Sequence, residues 1–200
     1  MRRSRNEMIA ETRQKLLSAG RRAFGELGYA EASMDDFTAE AGLTRGALYH
    51  HFGDKKGLFA AVVAEIDAEM SARLCDISSK TSDRWQGFVD ENVAYVLTAL
   101  EPEIQRIMFR DGPAVLGDPS QWPNANHCIA TVTRSIENLR NDGLIVDIDP
   151  EAAARLVNAA SSSAAQWIAN SDDPDATSKR AVKSFKTLLE GLRIERDPKR

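Results

Sequence analysis

Residues 43–59 read LTRGALYHHFGDKKGLF. Gly46 sits inside an otherwise helical stretch, Tyr49-His50-His51-Phe52 follow it, and Lys55 and Lys56 lie near the end. An interior helical glycine costs about 1 kcal/mol against alanine, so a segment this short accepts one where something must approach its backbone closely. Upstream, Ser33 precedes MDDFTAEA with Asp36 three residues on, a capping-box layout with Asp in place of Glu. That predicts a second helix running to about Ala41. In the following AGLT, Gly42 ends this helix, Leu43 plugs into the core and Thr44 caps the next. The third helix spans about Thr44 to His51; Gly53 stops it, and Asp54 caps a fourth that continues to about Leu74. Phe52 is expected in the core. Two short helices joined by a tight glycine turn make a helix-turn-helix.

Outward from this stretch the period is helical nearly everywhere. From Glu7 to Leu27, Ile9, Leu16, Leu17, Ala19, Ala23, Phe24 and Leu27 recur mostly at helical spacings, which predicts an amphipathic first helix closed by Gly28. Beyond residue 75, helices are expected at about 83–100, Pro102 to Phe109, 119–141, 150–170 and 174–194. Their breaks fall at Pro102, DGPAVLGDP, NDGLIVDIDP and NSDDPD. The stretch RDGPAVLG reads as a helix kink or turn. No run alternates like a strand. The expected fold is all-α, about nine helices, with a three-helix helix-turn-helix domain over residues 1–54 and a second helical domain over 55–200.

The chain has 200 residues, 42% hydrophobic and 28% charged, which fits a folded protein with a real core. Charges interrupt every apolar stretch well before the roughly 20 residues of a membrane span, and the basic N-terminus has no apolar run behind it, so a cytoplasmic chain is expected. Cys75 and Cys128 are far apart and outside any metal-ligand spacing, and read as reduced structural thiols. Adjacent His50 and His51 diverge by about 100° on a helix, with no carboxylate or cysteine to complete a metal set. No cofactor and no catalytic constellation are expected. The net charge of −4 divides unevenly: residues 1–58 hold ten Lys/Arg against eight Asp/Glu, whereas 59–200 hold sixteen against twenty-two. The basic balance is N-terminal.

The second helix of a helix-turn-helix lies in the DNA major groove, its first residues at base edges. Arg45 can pair bidentately with guanine, Thr44 can touch a thymine methyl or a phosphate, and Gly46 lets the backbone come close. Tyr49 and His50, one turn on, reach phosphates, and Lys55 brings its ammonium and a helix N-terminus to another. Singly, each residue also reads as an ordinary surface group; the ordered combination points to double-stranded DNA.

Residues 12–63 resemble the N-terminal domain of the tetracycline-repressor (TetR) family of bacterial transcription regulators. The resemblance rests on F-x-E-x-G-Y after the first helix, the small-rich turn ending in AGL, G-x-L-Y-x-H-F on the third helix and K-x-x-L opening the fourth. It implies that Tyr49, His50 and Lys55 contact phosphates, that Thr44, Arg45 and Gly46 face the bases, and that Ser33 anchors the second helix to the DNA backbone. It further implies about nine helices, a homodimer through the last two long ones, and a repressor released from its operator by a small-molecule effector. The sign of regulation, the effector and the operator are not legible in the residues, and regulation without a small molecule, or activation, stays open.

Residues 151–167 are rich in alanine and serine, and Ala181, Val182, Phe185, Leu188, Leu189 and Leu192 form a stripe on the following helix. Two such helices from each of two subunits would make a four-helix bundle, with packing inside one chain as the alternative. An effector pocket between the middle helices has candidates in Trp85, Phe88, Tyr95, Met108, Trp122, Asn126, His127, Asn158 and Trp167, with Phe109 beside them. The same residues describe an ordinary core equally well. Trp122 and His127 are distinguished by following the proline- and glycine-rich break.

Overall fold

The computed structural model describes residues 4–123 and 125–194, with the side chains of 125–127 left aside. The helices are α1 (Arg5–Leu27), α2 (Met34–Glu40), α3 (Arg45–Phe52), α4 (Lys55–Ser79), α5 (Arg84–Leu97), α6 (Pro102–Ile104), α7 (Gly112–Leu116), α8 (Ala125–Asn141), α9 (Pro150–Ala169) and α10 (Pro174–Glu190). A π-helical segment, Gln105–Asp111, joins α6 to α7, and counting that continuous run once gives nine helices among the described residues. The fold is all-α: among these residues the extended pairing is one isolated antiparallel bridge, Ile145 with Arg193. No described helix is long and apolar enough to cross a membrane.

Local chemistry sets most boundaries. α1 begins at Arg5 rather than Glu7 because Ser4 and Glu7 form a reciprocal capping box: Ser4 Oγ accepts from Glu7 N at 3.2 Å and the Glu7 carboxylate from Ser4 N at 2.6 Å. Ser33, Thr44, Asp54, Asp83, Asp149 and Asp173 each accept a backbone N–H three residues on, opening α2, α3, α4, α5, α9 and α10. Pro150 and Pro174 follow their caps directly, where a missing N–H costs nothing. Three further boundaries differ from expectation. α4 runs on to Ser79, five residues past Leu74. The helix expected from 119 starts at Ala125, after a 3₁₀ turn at Pro119–Gln121, because Pro123 disfavours helical backbone at Trp122. α10 ends at Glu190, and residues 192–194 turn back to Leu144 and Val146 through backbone hydrogen bonds.

The described residues pack as two compact units, those up to 67 with 102–119, and 68–101 with those from 120 onward. In the first, α1 buries Leu16, Leu17, Ala19, Gly20 and Phe24, while Ile9 and Leu27, expected on the apolar face, are 42% and 55% exposed. The core is aromatic: Phe24 meets Tyr29, Phe37 and Phe59 at centroid distances of 5.8, 6.0 and 5.1 Å. Leu48 fixes α3 to this core and is the one buried residue of that helix. Leu43 and Phe52 are only partly buried; Phe52 is not core, since the Arg13 guanidinium covers its ring at 5.1 Å.

The run 102–116 belongs to this first unit, and polar clamps hold it to α1. Arg21 grips Glu103 with two hydrogen bonds of 2.8 and 2.9 Å, Arg106 donates to the Glu26 carbonyl at 2.8 Å, and Asp111 accepts from Tyr29 N at 2.7 Å. RDGPAVLG is thus helical and not a turn. It continues one helix through a π-helical insertion, a form that recurs at functional positions.

In the second unit, Trp85, Phe88, Val89 and Val96 of α5 share a core with Ile136 and Leu139 of α8, Ile168 of α9, and Phe185 and Leu189 of α10. The small residues of α9 divide. Ala153, Ala154, Ser161 and Ala165 face this core, while Ala159 and Ser163 face outward.

Candidate nucleic-acid interface

The turn between α2 and α3 is fixed by backbone bonds. Gly42 at φ +66° donates to Ala39 O at 2.9 Å and Leu43 N donates to Thr38 O at 2.8 Å, the paired closure that a left-handed residue permits after a helix. Gly53 at φ +80° closes α3 in turn, with its N–H on Tyr49 O at 3.0 Å. Between these stops α3 has eight residues, of which Leu48 points inward. Thr44, Arg45, Gly46, Tyr49 and His50 are therefore exposed together.

Each expected site residue has a definite place. Ser33 is half-buried at the head of α2 with its hydroxyl accepting from Asp36 N. Thr44 is exposed, and its Oγ1 accepts from Ala47 N at 3.2 Å. Arg45 forms a two-pronged ion pair with Asp35 on α2. Tyr49 is 50% exposed, and His50 lies edge-on to His51 at 5.2 Å. Lys55 is half-buried: its Nζ lies 4.7 Å from the Tyr29 ring centroid and donates to Ala30 O at 3.3 Å. An ammonium carries three donors, so this anchor leaves capacity for an anion.

Gly46 is decided by what it does not touch. A Cβ built there meets only Thr44 Oγ1, at 3.6 Å, an ordinary contact, and its φ is not positive. Nothing within the described chain requires glycine at this position. At Gly57 the reverse holds, since a Cβ would fall 1.9 Å from Phe52 O.

Ionisation follows surroundings. Burial first, then the charges of His50 and Arg13, hold His51 below the usual histidine range, so α3 keeps a neutral imidazole at its base near neutral pH. Burial, then the Asp54 carboxylate, raises the Tyr29 phenol. Among the described residues no group of His, Cys, Asp and Glu is placed to hold a metal, and Cys75 and Cys128 form no disulfide, Cys75 being exposed.

The effector candidates are dispersed. Trp85 and Phe88 are buried beside each other, and Trp85 Nε1 donates to Glu190 Oε1 at 3.1 Å. The Tyr95 hydroxyl is 3.3 Å from Ser162 Oγ, Trp122 is half-buried, and Asn158 is half-buried with its carbonyl accepting from Ser161. Met108 is buried in the π-helical segment of the first unit, and Trp167 is 47% exposed beneath the Arg180 guanidinium. The side chains of Asn126 and His127 lie outside the described residues. Asp35 was not expected at the site. Its signal was available as an acid in the first turn of α2, ten residues before an arginine in the first turn of α3.

A helix-turn-helix unit with an exposed, cation-bearing second helix, joined to a second helical unit, defines the class of helical transcription regulators. Residues 16–62 match the family described as bacterial regulatory proteins, tetR family, and residues 85–192 match a tetracyclin repressor-like C-terminal domain. The chain belongs to the TetR family of bacterial transcriptional regulators. A crystal structure of a TetR-family transcriptional regulator from Pectobacterium atrosepticum is 49% identical, covers 98% of this chain and 100% of that one, and superposes with a TM-score of 0.89. The HTH-type transcriptional repressor AcnR of Corynebacterium glutamicum is 33% identical over 102 residues, 50% of this chain and 52% of that protein. A further HTH-type transcriptional repressor, from Mycobacterium tuberculosis, is 39% identical over 64 residues, 32% of this chain and 34% of that one. The chain thus spans about half the length of AcnR and about a third of that of the Mycobacterium tuberculosis repressor, and family members act as regulators, not enzymes.

Proposed function

We propose that this protein is a homodimeric repressor that occupies a pseudo-palindromic operator until a small-molecule effector lowers its affinity. In this reading residues 1–54 bind DNA and residues 55–200 bind effector and form the dimer through about 150–194. Thr44, Arg45 and Gly46 face base edges; Tyr49, His50 and Lys55 hold phosphates; Ser33 anchors α2 at the backbone. The chain works where DNA is, in the cytoplasm. The observation that carries the reading is Gly46, a helix-weakening residue at an exposed position where the protein itself leaves room for a methyl group.

An alanine there separates folding from function. Gly46→Ala is expected to stabilise the N-terminal unit by up to about 1 kcal/mol while weakening binding to the operator about tenfold or more, checked by thermal melting and by fluorescence anisotropy. Loss of binding with loss of stability would instead make Gly46 a folding residue.

The operator comes from selection of genomic fragments by the purified protein at two salt concentrations, beside Tyr49→Ala and Lys55→Ala. Enrichment of a palindromic site, lost in both variants and weakened by salt, is expected. A folded dimer that enriches nothing would overturn the free-protein repressor. With an operator in hand, release by added small molecules tests the effector, for which the half-buried Tyr95, Trp122 and Asn158 are the polar wall candidates. A ligand acts there only by favouring one arrangement of the protein over another.

A further inference from the structure

Arg45 and Asp35 stand on the first turns of α3 and α2, and their contact uses Nε and Nη2 of the guanidinium on the two carboxylate oxygens. Both side chains are more than half exposed, at 52% and 62%, so the pair adds little to stability. Its geometry has another consequence. A guanidinium carries five N–H donors on a rigid planar fork, and a carboxylate on the Nε/Nη2 edge occupies two of them. The adjacent edge, Nη1 with the second hydrogen of Nη2, is left in the plane, and its spacing suits the O6 and N7 acceptors of guanine.

We propose that Asp35 is a specificity-determining positioning residue, which holds Arg45 by one edge so that the other reads a guanine in each half-site. The proposal rests on Arg45 facing the bases. A free arginine swings among rotamers and settles on any nearby phosphate; an arginine tethered at its Nε edge has already lost that freedom and presents one face. The Asp35 carboxylate also repels the phosphate backbone on every sequence, while the restraint on Arg45 helps only where guanine is present. Asp35 thus lowers affinity for DNA at large and raises discrimination, because selectivity is a difference of affinities.

The test is anisotropy binding of the wild type, Asp35→Asn, Asp35→Ala and Arg45→Ala to the selected operator, to single-base variants at each half-site position, and to random duplex. Circular dichroism melts accompany each protein. For the wild type, replacing one particular guanine per half-site is expected to weaken binding about tenfold or more. Arg45→Ala removes that preference. Both Asp35 variants reduce it to about threefold or less at the same position, and bind random duplex several-fold tighter because a charge facing phosphate is gone. If the Asp35 variants change affinity for every duplex by one common factor and keep the guanine preference, Asp35 is only a repelling charge and the proposal is overturned. If Arg45→Ala leaves the preference at every position intact, the assignment of Arg45 to the bases fails, and the role of Asp35 fails with it. An Asp35 variant that melts well below the wild type would make the contact a structural one, also against the proposal.

Discussion

Replacing Gly57 with alanine lowers the stability of the N-terminal unit by about 2–3 kcal/mol and weakens operator binding at least about 100-fold, as measured by urea unfolding and anisotropy. The cause is backbone against backbone. Gly57 lies in the first turn of α4, and a Cβ there falls 1.9 Å from the carbonyl oxygen of Phe52 and 3.1 Å from its carbonyl carbon. Neither atom can rotate away. At Gly20 the clash, 2.7 Å, is with Leu58 Cδ2, the far end of a flexible side chain, so alanine there is milder. Relief at Gly57 requires opening the turn at Gly53–Asp54. That turn is held by Gly53 N on Tyr49 O at 3.0 Å and by Gly57 N on Asp54 Oδ1 at 2.6 Å. Moving it displaces the end of α3 that carries Tyr49 and His50, which is why binding falls further than stability alone explains. A Gly57→Ala protein that unfolds and binds like the wild type would refute this account of the α3–α4 turn.

This clash also shows what a sequence conceals. Ser33, Thr44 and Asp54 were readable as caps, and Gly28, Gly42 and Gly53 as stops, because a cap or a left-handed turn involves residues within five positions of each other. The helix-turn-helix and its exposed residues followed from these alone. Gly57 read as an unremarked member of K-x-x-L; its reason lies in how α4 leaves the turn. The π-helical Gln105–Asp111 was illegible for a similar cause. Its clamps on α1, Arg106 to Glu26 O and Asp111 to Tyr29 N, join residues about eighty positions apart. Composition leaves a choice open where one residue type serves two ends. Trp85 and Phe88 have the character of a pocket wall and of a core alike, and in this structure both are buried and in contact with each other. Phe52 has that of a core residue, yet it lies under Arg13 near the surface. Asp35 does not stand out in the sequence, because an acid in a first helical turn already has a reason in the helix dipole.

Leu156→Arg combined with Leu188→Arg is expected to yield a folded monomer that binds the palindromic operator at least about 100-fold more weakly than the wild type. The two leucines are 69% and 67% exposed on α9 and α10, and Trp167 is 47% exposed. Single exposed leucines are common on monomer surfaces. Here Leu156, Ala159, Ser163 and Trp167 follow at spacings of three, four and four along α9, which puts them on one outward face. Arg180 of α10 lies over the Trp167 ring, and Leu188 stands two turns further along α10. In the proposed dimer a two-fold axis doubles each contribution. Four leucines at about 1.5–3 kcal/mol each bring roughly 6–12 kcal/mol toward the association cost. Four arginines in their place put like charges into an apolar seam. The variant stays folded because neither leucine belongs to the core of its own chain, where Ala154, Ala165, Phe185 and Leu189 are buried. Operator affinity falls because a dimer presents its second α3 to the adjacent half-site at millimolar effective concentration, a gain of about 10²–10⁴ that a monomer forgoes. Light scattering reads the mass, and anisotropy on full and half operators reads the affinity. The half operator should bind both proteins alike. A double variant that keeps twice the chain mass would move the dimer face away from α9 and α10. One that is monomeric yet binds the full operator undiminished would leave the dimer intact as a proposal about assembly but remove it from recognition.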